Sequence, residues 1–206
     1  MGLLNDLKMG LGLQEQDADY YERTAKTLGG TQGAEQLATF DDLIKALIQQ
    51  ESSGNPEAVS DEGYIGLMQL DPNDTMKRLR IGVPTVFQAA EALGKDVGKR
   101  TLDDSKRLLA DPDVNRLIGI PYLRELMSKY NWNIPDALTA YNAGPDQLDT
   151  VYAAGGTYAD LRKPEQRTYA ADVNEEFRNM FGFDLPNFGV LVSKRPQARP
   201  KGLLDM

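Results

Sequence analysis

The sequence predicts a mainly α-helical domain with at most one small β-hairpin, flanked by extended arms. Three observations carry this reading. Apolar residues recur at helical spacing, as in Tyr169, Val173, Phe177 and Phe181 at i+4 steps. Helix start signals recur along the middle of the chain. Only residues 60–71 are Gly-rich with short apolar runs, which suits a turn or small hairpin.

The 206 residues divide into three segments. Residues 1–36 form an N-terminal arm, in which the polar stretch 14–28 reads as a modest helix ended by Gly29, Gly30 and Gly33. Residues 37–182 form the domain. Its first helix covers 41–51, with Leu43, Ile44, Leu47 and Ile48 on one face. A second spans 84–93. Thr101 and Asp104 suggest a capping box. Asp111-Pro112-Asp113 supplies a cap, Pro at the first helical position and an acid in the first turn. A helix over 135–143 should stop at Gly144-Pro145. Pro164 opens a last, long helix.

Residues 183–206 form an extended tail containing Pro196 and Pro200. Four basic residues against two Asp give the tail +2, which leaves −10 of the total −8 for residues 1–182. Its residues 189–192, Gly-Val-Leu-Val, are β-prone and could join a partner's sheet edge.

Composition excludes several chemistries. With no Cys and no His, there is no thiol nucleophile, Ser-His triad, imidazole shuttle or ordinary zinc site. Acid/base work falls to carboxylates, Lys or Tyr. The net charge of −8 argues against a nucleic-acid partner and gives no attraction to an anionic cell wall. No apolar run is long enough to span a membrane. Residues 1–8 lack the charged leader and apolar stretch of a secretory signal, and Asp6 breaks the myristoylation pattern.

Glu51 is the most informative residue. It shares a helix face with Ile44, Leu47 and Ile48. Desolvation by that face raises a carboxyl pKa, and the negative helix end pushes the same way. A raised pKa suits a general acid near neutral pH. On spacing alone, an exposed helix-terminal Glu is the other reading.

The surroundings favour the chemical one. Glu51-Ser52 leads to Ala58-Val59-Ser60, then Gly66-Leu67-Met68-Gln69 and Pro72. Asp111-Pro112 follows with Asn115, Gly119 and Tyr122-Leu123. Then come Ala140-Tyr141-Asn142-Ala143-Gly144-Pro145 and Pro164-Glu165-Gln166-Arg167-Thr168-Tyr169. This order of four motifs, over residues 38–180, resembles the soluble lytic transglycosylase family. The resemblance implies a lysozyme-like, mainly helical fold. It implies cleavage of the β-1,4 bond between N-acetylmuramic acid and N-acetylglucosamine in peptidoglycan, with a 1,6-anhydro product and no metal or organic cofactor.

Roles carry over by position. Glu51 matches the single catalytic acid/base. Ser60 and Gln69 match polar residues on the floor of the site, and Met68 one lining the sugar groove. Tyr141 and Asn142 match a pair facing the intermediate and its acetamido group. Glu165 and Tyr169 match the opposite wall. Met68, Tyr141 and Tyr169 could also be core residues, Glu165 a first-turn acid, and Asn142 a helix-end residue. Tyr64 and Gln166 depart from the family's usual choices.

Two other readings compete. A hydrolase like goose-type lysozyme would need a second acid, for which Asp61, Glu62, Asp71 and Asp74 lie near in sequence. An inactive docking protein is the third, against which intact Glu51, Gln69 and Asn142 argue. The expected setting is a bacteriophage particle acting in the host periplasm, its arms held by phage structural proteins, with peptidoglycan strands as substrate.

Overall fold

Seven α-helices and one 3-10 turn make up the described residues. The structure, a computed structural model, describes residues 40–185 except 78, 80 and 81. The expected helix at 14–28 and the β-prone stretch 189–192 lie outside these residues. The helices are α1 (Phe40–Ser52), α2 (Val86–Ala92), α3 (Leu102–Leu109), α4 (Pro112–Lys129), α5 (Ile134–Ala143), α6 (Pro145–Ala153) and α7 (Pro164–Phe181), with the 3-10 turn at Tyr158–Asp160.

Local chemistry starts the helices where the sequence indicates. Thr85 and Gln88 close a capping box on α2, and Thr101 and Asp104 one on α3. The Asp111 carboxylate accepts from the Asp113 and Val114 N–H groups at the start of α4. The helix α6 was not anticipated. Gly144, at φ 83°, ends α5 and also stands at the N-cap of α6, with Pro145 as its first residue. Pro after Gly stops one helix and pre-sets the backbone of the next.

No strand forms among the described residues. The 58–70 stretch is a looped turn with two isolated antiparallel bridges, Val59 to Ile65 and Ile65 to Leu70. It is shorter than a full hairpin.

The long α7 packs against α1 and α5, and α4 packs against α5, α2 and α3. The stripe anticipated on α7 divides. Tyr169, Val173 and Phe177 are buried, while Phe181 sits at the margin with its ring 4.7 Å from Phe177. Gln166 is also buried, and its Oε1 accepts from Gln147 Nε2 at 2.7 Å and from the Lys163 N–H. This joins α6 to α7. Beyond α7, Leu185 is buried and its N–H donates to Asn174 Oδ1 at 2.7 Å. A second tie is Asp136, buried on α5, whose Oδ1 accepts the hydroxyls of Tyr152 and Tyr158.

Asn115 fixes the 65–69 loop onto α4. It is 0% exposed. Its Oδ1 accepts from the Met68 N–H at 2.9 Å, and its Nδ2 donates to Ile65 O at 2.9 Å and Leu109 O at 3.0 Å. Both amide donors are thus used. Gly66 makes the approach possible. At φ +84°, a Cβ there would lie 2.4 Å from Asn115 Nδ2 and 2.4 Å from Leu109 O.

Asn115→Ala leaves buried main-chain partners unpaired, so it is expected to destabilise the fold by roughly 2–4 kcal/mol. Urea unfolding measures this. A loss below about 0.5 kcal/mol, the range of an ordinary surface change, would show that Asn115 does not hold the loop.

Candidate active site

Glu51 lies in the last turn of α1, carried inward by the face that buries Leu43, Ile44, Leu47 and Ile48. The residue keeps some exposed surface, and the carboxyl is its shielded part. Tyr169, five residues into α7, donates its hydroxyl to Glu51 Oε1. Burial raises the carboxyl pKa from 4.5 to about 7, and the Tyr169 hydrogen bond offsets part of that rise. The pair spans 118 residues of sequence.

Tyr141 forms the adjoining part. Its hydroxyl donates to Met68 O at 2.8 Å, and its ring lies 5.4 Å from Tyr122. Burial first, then the nearby Glu51 carboxylate, hold the Tyr141 and Tyr169 phenols well above their ordinary range. Both therefore stay protonated donors at working pH.

Gln69 ties the loop together. Its backbone is left-handed at φ 45°, which costs a non-glycine residue roughly 1–3 kcal/mol. Its Nε2 donates to Gly66 O at 2.9 Å and Ala58 O at 3.2 Å, stitching the loop to itself. Ser52 Oγ also lies within hydrogen-bond reach of Leu67 O and Ile48 O. The Leu67 contact ties the end of α1 to the loop.

The sequence-derived residues do not all converge. Glu51, Tyr169, Tyr141 and the Met68 carbonyl form a linked set, and Gln69 follows Met68 in the loop. The Met68 side chain does not line an open groove. It is 0% exposed, and Gly119 makes its space, since a Cβ on Gly119 would lie 2.5 Å from the Met68 sulfur. Ser60 Oγ accepts from the Tyr64 N–H at 3.1 Å and closes a turn. Asn142 is exposed at the end of α5. Glu165 is exposed, its Oε1 3.6 Å from Lys163 Nζ, which lies equally far from Glu62 Oε1. Asn115 is the supporting residue whose role sequence reasoning missed. Its place in the second motif was visible, but its partners are 6 to 50 positions away.

The model of the transglycosylase SLT domain matches residues 32–162, well over half of the chain. The chain belongs to the transglycosylase SLT domain family. Membrane-bound lytic murein transglycosylase C of Serratia proteamaculans (strain 568) is 32% identical over 133 residues, covering 61% of this chain and 33% of that protein. Its counterpart from Yersinia enterocolitica serotype O:8 / biotype 1B is 30% identical over 133 residues, covering 60% and 32%. This chain spans about a third of the length of these relatives. A solved complex of the 70-kDa soluble lytic transglycosylase with bulgecin A has a TM-score of 0.52 at 22% identity, over 93% of this chain and 28% of that one. That likeness is one of fold, and it bears out the lysozyme-like lytic transglycosylase architecture. The SLT match ends before α7, so Tyr169 joins the site through geometry. No described helix of this SLT domain is long and apolar enough to cross a membrane.

The raised pKa has a consequence for stability. The folded SLT domain holds the Glu51 proton more tightly than the unfolded chain. Below pH 4.5 both states carry it. Stability then falls as pH rises toward 7, and above that the loss is complete, at about 3 kcal/mol or less. Glu51→Gln removes the titration. It is expected to match the parent at pH 4 and to be more stable by roughly 1–3 kcal/mol at pH 8. Denaturant midpoints at the two pH values measure this. A variant no more stable than the parent at pH 8 would contradict a desolvated carboxyl.

Proposed function

We propose that this SLT domain is a peptidoglycan lytic transglycosylase with Glu51 as its single acid/base. The observation that carries the reading is one shielded carboxyl, pushed to about 7 and held by a phenol donor. In the proposed cycle the protonated Glu51 gives its proton to the glycosidic oxygen between N-acetylmuramic acid and N-acetylglucosamine. The bond from that oxygen to the muramic C1 breaks. The Glu51 carboxylate then takes the proton from the muramic C6 hydroxyl, whose oxygen closes onto C1 as a 1,6-anhydro ring. Atoms and protons balance without water. Tyr169 stabilises the carboxylate formed in the first half, and burial favours the acid that the cycle restores. Asn142 is assigned to the substrate's acetamido group, and Glu165 to the far wall.

A lysozyme-type hydrolase needs a second carboxylate to serve water or the sugar. The nearby acids are otherwise engaged or solvated. Asp71 Oδ1 accepts from the Asn73 N–H at 2.7 Å and the Asp74 N–H at 3.3 Å, closing its own turn. Glu62 faces Lys163, and Asp61 and Asp74 are exposed. Burial and Tyr169 account for the Glu51 shift without an acidic neighbour.

Glu51→Gln is expected to lower strand cleavage by on the order of a thousandfold, while the parent yields anhydro-muramic ends detected by mass spectrometry. Near-parental activity of the variant would remove Glu51 from the mechanism. Reducing ends carrying oxygen from labelled water would replace the transglycosylase by a hydrolase.

The setting we propose is a bacteriophage particle, with cleavage opening the host wall for genome entry. Support comes from the basic Pro-containing tail 183–206, opposite in charge to the rest of the chain. Purified particles are expected to contain the full chain and to lose it when residues 186–206 are removed. Unchanged incorporation of the shortened chain would refute docking through the tail.

A further inference from the structure

Among the described residues three large apolar side chains stand out as exposed, and two of them, Val59 (65%) and Tyr64 (40%), share one short turn. We propose that Tyr64 is a sugar-stacking residue, its ring receiving the apolar face of a neutral N-acetylated pyranose of the glycan strand at the rim of the site. The proposal rests on the transglycosylase reading above.

The backbone that carries the ring is closed by hydrogen bonds. The Ser60 N–H donates to Tyr64 O at 3.0 Å, the Gly63 N–H to Ser60 O at 2.9 Å, and the Tyr64 N–H to Ser60 Oγ at 3.1 Å. Ile65, the next residue, is 5% exposed and anchors the opposite side through its bridges to Val59 and Leu70. Alternation along this extended stretch turns Tyr64 outward as Ile65 turns inward. The Tyr64 hydroxyl has no hydrogen bond among the described residues, so it remains available to a sugar hydroxyl.

The turn also sits in the right place. Lys163 Nζ lies 3.6 Å from Glu62 on the turn and 3.6 Å from Glu165 on α7. This ties the turn to the start of α7, the helix that carries Tyr169. The loop that bears the turn also meets the residue after Glu51, with Ser52 Oγ 2.9 Å from Leu67 O.

Electrostatics is consistent with this kind of contact. With −10 on residues 1–182, the chain gains nothing from long-range attraction to an anionic polymer. A contact to a neutral sugar face does not depend on that attraction, and a tyrosine ring offers much amphipathic area for little conformational entropy.

The test is the affinity of peptide-free glycan strands for the Glu51→Gln protein, with and without Tyr64→Ala, alongside steady-state kinetics of Tyr64→Ala and Tyr64→Trp with Glu51 intact. Tyr64→Ala is expected to weaken binding and raise KM by roughly three- to tenfold while leaving kcat near the parent value. Tyr64→Trp should restore both. Thermal melting equal to the parent shows that the turn survives. Unchanged affinity and KM in a folded Tyr64→Ala would overturn the proposal, as would a loss seen with intact peptidoglycan and not with peptide-free strands. If strands bind in a Tyr64-dependent way but are never cut, the transglycosylase reading falls and this one stands. If they are cut and Tyr64→Ala changes nothing, the reverse holds.

Discussion

The constraint that organises this structure is one carboxyl group held largely out of water, at a cost to stability. Glu51 is placed at the end of α1 by an apolar face that has to pack, and the same packing strips its carboxyl of solvent. The folded domain then carries a group that prefers its proton. Tyr169 on α7 offsets part of that preference by donating to the carboxyl. The contact joins two elements far apart in sequence, and α1 and α7 pack directly. Packing of the first helix against the last is therefore also the step that assembles the acid. An isolated α1 would present an ordinary exposed glutamate.

The loop beside the acid is held with comparable care. Asn115 spends its amide on three main-chain groups, Gly66 lets it approach, and Gly119 makes room for Met68. Locking Met68 in the core leaves its carbonyl to receive Tyr141. The two phenols thus have different anchors, one on the carboxyl and one on the loop. Strain at Gln69 is sustained because its side chain bonds twice to the same loop. A loop held in this way would suit the reaction proposed above, in which one group serves two proton transfers from a single position.

Much of this was legible in the sequence. Local rules fix the first face of α1, the caps of α3 and α4, and the start of α7, because capping and period act within a few residues. The Glu51 environment followed from the same face. Other features required tertiary contacts. Gly144-Pro145 reads as a stop, yet a proline after a stop is also a start, and α6 follows it. Met68 was matched to a groove, but the hole opposite it is made by a glycine 51 positions later. Gln166, a departure from the family's usual choice, is buried and accepts from Gln147 in the helix that was not foreseen. Residues 60–71 read as a turn or small hairpin by composition. With Gly66 and Gln69 left-handed, the stretch is a tight loop with isolated bridges.

The central claim is that burial and one phenol together set the acid. Carbon-detected NMR titration of the Glu51 side-chain carboxyl tests it most directly, in the parent and in Tyr169→Phe. The parent midpoint should lie near pH 7. Removing the phenol donor, which favours the charged form, should move the midpoint higher. A parent midpoint near the ordinary 4.5, or a Tyr169→Phe midpoint that falls, would contradict the account.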